Sequence, residues 1–327
     1  MKIAFVVDGG LEMGMGHVYR TVNLARDLHG RAASCFVTKS DDIVVKLIEG
    51  AGFSVFHAAS DDEIVEILKS IEPGIVIIDR LDIGEKMARD IKDGVKARLV
   101  LFENQFQPSN KYADVVVNAI MGAGFNNKKY RDEQTGTLYF FGPKYLTFKD
   151  DFYQFKKKGK KLKRVIQKML LIFGGSDPSN LTSAALSELL SHDTDFKIGI
   201  VLGVHFEYFK ELNRILEKYP QKKKNVKIYK AANNVAELMY KADLVMASPG
   251  LSVFESLCVG TPVIVVHQNL WQRDGFKGFV DTLDKKEINR IERMIKQGAY
   301  VDPQQNSIKN LEIGQGKAEL IEAIIGG

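Results

Sequence analysis

The residues best suited to chemistry begin at position 8. Asp8-Gly9-Gly10-Leu11-Glu12-Met13-Gly14-Met15-Gly16-His17 is followed one helical turn later by Arg20. Glycines let backbone approach a ligand closely. A helix N-terminus favours anions. An imidazole titrates near neutral pH and suits proton transfer. The spacing is not that of a dinucleotide turn, because Tyr19 stands where a third glycine would fall. By itself the stretch also reads as a glycine-rich turn with a capping histidine. Two further stretches share the design. Gly174-Gly175-Ser176-Asp177 offers glycines, a hydroxyl and a carboxylate, or simply an N-cap. Ser248-Pro249-Gly250-Leu251-Ser252-Val253-Phe254-Glu255 offers a helix start bearing Ser252, which suits a diphosphate. Glu255 then suits ribose hydroxyls. The alternative is a capping box in which Ser252 and Glu255 cap each other's N–H groups. Asp79 ends an apolar run and reads equally as a ligand-facing carboxylate or a turn cap.

The elements that must position these residues follow from hydrophobic periodicity. Apolar runs predict strands over 3–7, 33–38, 54–57, 75–79, 98–102 and 115–118. Helical patterns lie between them, the first over 17–28 with Val18, Val22, Ala25 and Leu28 on one face. From 121 to 138 the chain turns polar, and lysines crowd the stretch from 156 to 168. Strands over 168–173, 197–202, 225–229, 244–247 and 263–267 then restart the alternation, with helices over 284–297 and 317–325 near the end. Strands alternating with helices mean parallel α/β sheets. The expected architecture is two doubly wound domains, 1–150 and 151–327, facing a central cleft. Ligands of such sheets bind beyond the carboxyl ends of the strands, and all three glycine-rich turns follow strands.

Composition narrows the class. At 327 residues, 45% hydrophobic and 27% charged, the chain has the make-up of a globular protein of two domains. The net charge of +5 sits largely in the lysine run, a solvated face rather than a nucleic-acid footprint. Cys35 and Cys258 lie far apart, and no secretory signal or membrane span is visible, so a cytoplasmic location is expected. The six histidines show no metal-ligand spacing.

In their order along the chain these pieces resemble the UDP-sugar hydrolases of pseudaminic acid biosynthesis, the PseG/SpsG-type family. The matching residues are Asp8, Gly14, Gly16, His17, Arg20 and Leu24-Ala25, then Gly142-Pro143-Lys144-Tyr145, then Gly174 to Asn180, then Asp243 to Glu255. The resemblance spans most of the chain from 3 to 272. Its Ser/Glu turn is shared with the wider GT-B glycosyltransferases, including the MurG type. It implies a GT-B fold, with a UDP-sugar as the small-molecule partner, the nucleotide held by the C-terminal domain and the sugar between the domains.

The roles implied are specific. Gly250, Leu251 and Ser252 would hold the diphosphate, Glu255 the ribose, and the segment 229–232 the uracil. Gly174, Gly175 and Ser176 belong to the same substrate site. His17 would activate water at the anomeric carbon, with Asp8 orienting His17 or binding sugar hydroxyls. Gly14, Gly16, Arg20 and Asp79 would complete the sugar side, and Asn269 and Gln272 match a polar pair of the family. A helix dipole can hold a diphosphate unaided, so neither metal nor cofactor is expected. The chain departs from the family at Val6, where arginine is usual, at Pro249 and Leu251 in the phosphate turn, at Arg80-Leu81-Asp82, and at Phe102-Glu103-Asn104-Gln105. Three activities stay open: hydrolysis, sugar transfer to an acceptor, and binding without turnover. Hydrolysis leads, because no sharp apolar and basic surface for a lipid acceptor stands out.

Overall fold

The computed structural model describes residues 1–11, 13–80, 82–102, 107–120, 126–163, 165–192, 196–267, 276, 279–297 and 311–326. The chain divides into two compact units, Met1–Phe148 with Leu311–Gly327, and Lys149–Asn310.

Unit 1 is built on an eight-stranded sheet. Its strands are β1 (Lys2–Val7), β2 (Ala33–Thr38), β3 (Ser54–His57), β4 (Ile75–Asp79), β5 (Arg98–Phe102), β6 (Val115–Asn118), β7 (Lys128–Arg131) and β8 (Leu138–Phe141). The order across the sheet is β3-β2-β1-β4-β5-β6-β8-β7. All neighbours are parallel except β7 and β8, which pair antiparallel. Ile3 to Val7 and Ile75 to Ile78 are almost wholly buried, as strands covered on both faces must be. The chain leaves β1 towards β2 on one side and returns to β4 on the other. The carboxyl ends of β1 and β4 therefore flank the point where the winding reverses, the place in such sheets where ligands bind.

Unit 2 repeats the plan with β9 (Lys168–Ile172), β10 (Lys197–Leu202), β11 (Val226–Lys230), β12 (Leu244–Ala247), β13 (Val263–His267) and β14 (Asp281–Asp284). The order β11-β10-β9-β12-β13-β14 is parallel throughout. Its reversal point lies between β9 and β12. One core fills the face under the helix Leu181–Ser191, with Leu171, Met246, Ile264 and Val266 at its centre.

Three elements differ from the sequence expectation. The polar stretch after 121 contains β7, whose Lys128-Lys129-Tyr130-Arg131 is exposed throughout, and is followed by β8. The helix expected from 284 begins as β14 and a 3-10 turn before becoming α-helical at Ile291–Gln297. The helix Lys317–Ile325 forms as expected but packs in unit 1 rather than closing the second domain. Arg98 donates to the carbonyls of Ile324 and Ala323 at 3.1 and 2.9 Å, and Lys317 pairs with Asp27 at 2.7 Å. The Gly142-Pro143-Lys144-Tyr145 motif receives this returning segment. Gly314 and Gly316 donate to the Pro143 and Lys144 carbonyls at 2.9 and 2.8 Å. A Cβ on Gly316 would lie 2.7 Å from the Tyr145 ring.

Cys35 and Cys258 are both buried and free. Among the described residues no helix is long and apolar enough to cross a membrane, and no group of three or more His, Cys, Asp or Glu could hold a metal ion.

Candidate functional site

The strand β1 delivers the glycine turn to the reversal point of unit 1. Gly10 and Gly14 close a small loop by exchanging backbone hydrogen bonds of 3.1 and 2.9 Å. Gly14 has φ +75°, a conformation that glycine adopts without strain. Gly9 cannot carry a side chain, because its Cβ would lie 2.6 Å from Val18. The turn leads into the helix Gly16–Asp27, whose N-cap is Met15 with no side-chain cap. His17 is thus not a cap. It sits in the first turn with its side chain 15% exposed.

The partner of His17 comes from β4. Register places Asp79 beside Val7, one residue before the turn. The His17 Nδ1 lies 2.7 Å from Asp79 Oδ1. Arg20, three residues on along the same helix face, donates from Nε to Oδ2 at 2.7 Å and from Nη2 to Oδ1 at 2.5 Å. Asp79 and Arg20 are buried to 0% and 2% exposure. Burial alone would raise the Asp79 pKa, but Arg20 and His17 outweigh it and hold the carboxyl at about 2. An ionised carboxylate only accepts hydrogen bonds, so the imidazole donates to it from Nδ1 and turns Nε2 away from Asp79. Asp79 is therefore neither a turn cap nor a free ligand-facing carboxylate, and Arg20 is a buried partner of Asp79.

Asp8 does not orient His17. Its carboxylate accepts from the Lys39 amide at 2.8 Å and from Thr38 Oγ1 at 3.3 Å, and Arg80 Nε lies 3.0 Å away. Ser40 Oγ accepts from Gly9 N at 2.8 Å. These contacts fix the base of the turn to β2 and β4. Val6 is wholly buried, and the guanidinium beside Asp8 comes from Arg80. Nothing in the local sequence marks Arg80 for this role.

In unit 2 the two remaining turns meet across β9 and β12. Ala247 pairs with Ile172, and a Cβ on Gly174 would lie 3.7 Å from Ser248 Oγ. Gly174 has φ +85°. Gly175 presses on Gly203, where a Cβ would come within 2.3 Å of the Gly175 carbonyl oxygen. Backbone cannot yield as a side chain does. Gly203→Ala is expected to displace the 174–177 turn and destabilise unit 2 by about 1–3 kcal/mol or more, read by urea unfolding. Ser176 is buried in the turn. The N-cap of the helix is Asn180, and Asp177 satisfies helix N–H groups as its sequence allowed, accepting from Leu181 N and Thr182 N at 2.8 Å each.

The helix Leu251–Cys258 begins at Gly250, φ +151°, with no side-chain cap. The Ser252–Glu255 capping box therefore does not form. Ser252 lies inside the first turn and its side chain hydrogen-bonds Glu255. Part of Glu255 remains open to solvent. Even so, the protein around its carboxyl, reinforced by Asp151, pushes its pKa up to about 7. A raised carboxyl binds protons in the fold that the unfolded chain has already lost. Stability is then full below its ordinary 4.5 and falls as pH rises towards 7. Glu255→Gln is expected to remove this loss, so that the variant gains about 3 kcal/mol over the native chain between pH 4.5 and 8 in urea unfolding. Asp243, the start of the matched Asp-to-Glu element, lies at the opposite end of β12. It accepts from Gln167 N and Lys168 N at 3.0 and 2.9 Å. Asn269 and Gln272 lie outside the described residues.

Comparison with known proteins agrees with this architecture. Residues 169–270 match the glycosyltransferase family 28 C-terminal domain. An uncharacterised protein of Methanocaldococcus jannaschii is 45% identical over 99% of the chain, which spans 66% of that relative's length. The spore coat polysaccharide biosynthesis protein SpsG of Bacillus subtilis is 30% identical over 86% of the chain and 81% of its own length. UDP-2,4-diacetamido-2,4,6-trideoxy-beta-L-altropyranose hydrolase of Campylobacter jejuni is 22% identical over 79% of the chain and 88% of its own. Among solved structures, Acinetobacter baumannii MurG superposes with TM-score 0.64 at 12% identity, covering 98% of this chain and 99% of that one. Anabaena HepE, solved with UDP and glucose, gives 0.61 at 14% with complete coverage of both chains. The fold is that of the GT-B glycosyltransferases, and by its identity to SpsG the chain belongs to the SpsG family of GT-B-like proteins.

Proposed function

We propose that the protein hydrolyses a UDP-linked amino or deoxy sugar, acting in the cytoplasm and releasing free sugar and UDP. The observation that carries this is the His17–Asp79 pair at the reversal point of the unit 1 sheet. In the proposed step a water held by Nε2 attacks the anomeric carbon and gives its proton to Nε2. The electron pair of the C1–O bond leaves with the diphosphate. Asp79 keeps the ring in the reactive tautomer and faces the imidazolium that forms. Gly14 and Gly16 admit the sugar beside His17, with Asp8 anchoring the turn. Unit 2 holds the nucleotide: the N–H groups of Gly250, Leu251 and Ser252 the diphosphate, Glu255 the ribose, and 229–232 the uracil. Gly174, Gly175 and Ser176 border that site, and Asn269 and Gln272 are assigned to the sugar. The Campylobacter relative's name supports hydrolysis of a UDP-sugar, and the UDP complexes of HepE support the nucleotide.

The family 28 match favours a second reading, transfer of the sugar to an acceptor hydroxyl with His17 as the same base. A panel of UDP-sugars incubated with the protein, with free UDP and free sugar followed, separates the two. Hydrolysis predicts release of both without an acceptor. Release only when an alcohol acceptor is added assigns transfer, and no release under either condition overturns both readings.

A further inference from the structure

We propose that His267 binds the diphosphate directly, with Asp284 as the positioning residue that holds its ring. The inference rests on the reading of unit 2 as the nucleotide-holding half and adds to it a residue from a neighbouring strand.

His267 is the last residue of β13, the neighbour of β12. Val265 pairs with Ala247, so His267 stands level with the Ser248–Gly250 turn that starts the helix Leu251–Cys258. Its face follows from strand alternation. Ile264 and Val266 point into the core under Leu181–Ser191, a core to which no residue of Leu251–Cys258 contributes. His267 points the other way, to the face that carries this helix. The helix start there has no side-chain cap.

The second observation is the imidazole itself. His267 is 2% exposed, and its Nδ1 is buried without a hydrogen-bond partner. Buried polar atoms are nearly always satisfied, so an orphan at the carboxyl edge of a parallel sheet points to a ring that completes its bonding when a bound ligand turns it. Asp284 pairs with His267 across β13 and β14. Its Oδ2 lies 3.8 Å from Nδ1, beyond hydrogen-bond reach but within that of an ion pair. Asp284 is itself fixed, since Oδ1 accepts from Lys286 N at 2.8 Å. The arrangement is a looser version of the His17–Asp79 pair. A small rotation of the imidazole would close the Nδ1–Asp284 bond, and Nε2 would then donate to a phosphate oxygen at the helix start.

The test uses the full chain with UDP and uridine as probes. His267→Ala is expected to weaken UDP binding about 10- to 100-fold and leave uridine binding unchanged. Asp284→Asn is expected to weaken UDP less. In the native protein labelled with 15N-histidine, the His267 ring signals should move with UDP and stay with uridine. This measurement stands even if the alanine variant fails to fold. Equal UDP affinity in His267→Ala, equal losses for UDP and uridine, or ring signals that ignore UDP would each overturn the inference and leave the function intact. A native chain that binds neither probe would overturn the nucleotide reading of unit 2, and this inference with it.

Discussion

Replacing His17 with alanine is expected to lower turnover of a UDP-sugar by about 10²–10⁴-fold, with UDP affinity unchanged. The separation of the two effects is the informative part. The proposed base lies in unit 1, whereas the residues assigned to the nucleotide lie in unit 2. Removing the imidazole leaves Asp79 still paired with Arg20 through two hydrogen bonds, so the fold should persist. Steady-state kinetics with isothermal titration of UDP reads both quantities. A variant that loses UDP binding and turnover together would place His17 in nucleotide binding instead. Unchanged turnover would remove it from the chemistry altogether.

Replacing Asp79 with alanine should have the largest effect on stability. The carboxylate accepts from both Nε and Nη2 of Arg20, and that guanidinium is 2% exposed. Deleting one partner of a buried ion pair costs about 3–5 kcal/mol. For a unit of this size the loss corresponds to a fall in Tm on the order of 10 °C. Calorimetry at pH 7 checks it. The same pair gives the native protein an acid limit. Asp79 is depressed to about 2 from its ordinary 3.8, so its contribution is complete above about 4 and drains away as pH falls towards 2. The alanine variant should therefore converge on the native chain at low pH. Convergence at high pH instead would contradict the assigned ionisation.

Much of this arrangement was legible in the residues alone. Strands β1, β2, β4 to β6, β9, β10, β12 and β13 are largely apolar runs, and the parallel order follows from the helices between them. The glycine turn, His17 and the start of the helix at Leu251 stood out because glycine and histidine are scarce where a strand meets a helix. Strand β7 escaped because Lys128-Lys129-Tyr130-Arg131 has no apolar alternation. It is an outer strand held by its pairing with β8 rather than by burial. Strand β14 has a single buried residue, Leu283, and so no pattern to read.

The sequence by itself determined the two parallel α/β sheets, most of the strands that build them and the histidine proposed as the base. Short-range patterning of apolar residues and glycines is local information, and these features are local. Only the tertiary structure decided what holds that base. Asp8 is nine residues from His17 and was the natural partner by proximity, yet it is spent on Lys39 and Arg80. Asp79 is 62 residues away and becomes the partner because β4 returns to the side of β1 opposite β2, in the register that sets Asp79 beside Val7. The same holds for His267 and Asp284, and for the C-terminal helix that joins unit 1. Pairing across a parallel sheet is set by the crossover path of the whole chain, and no window of neighbouring residues contains it.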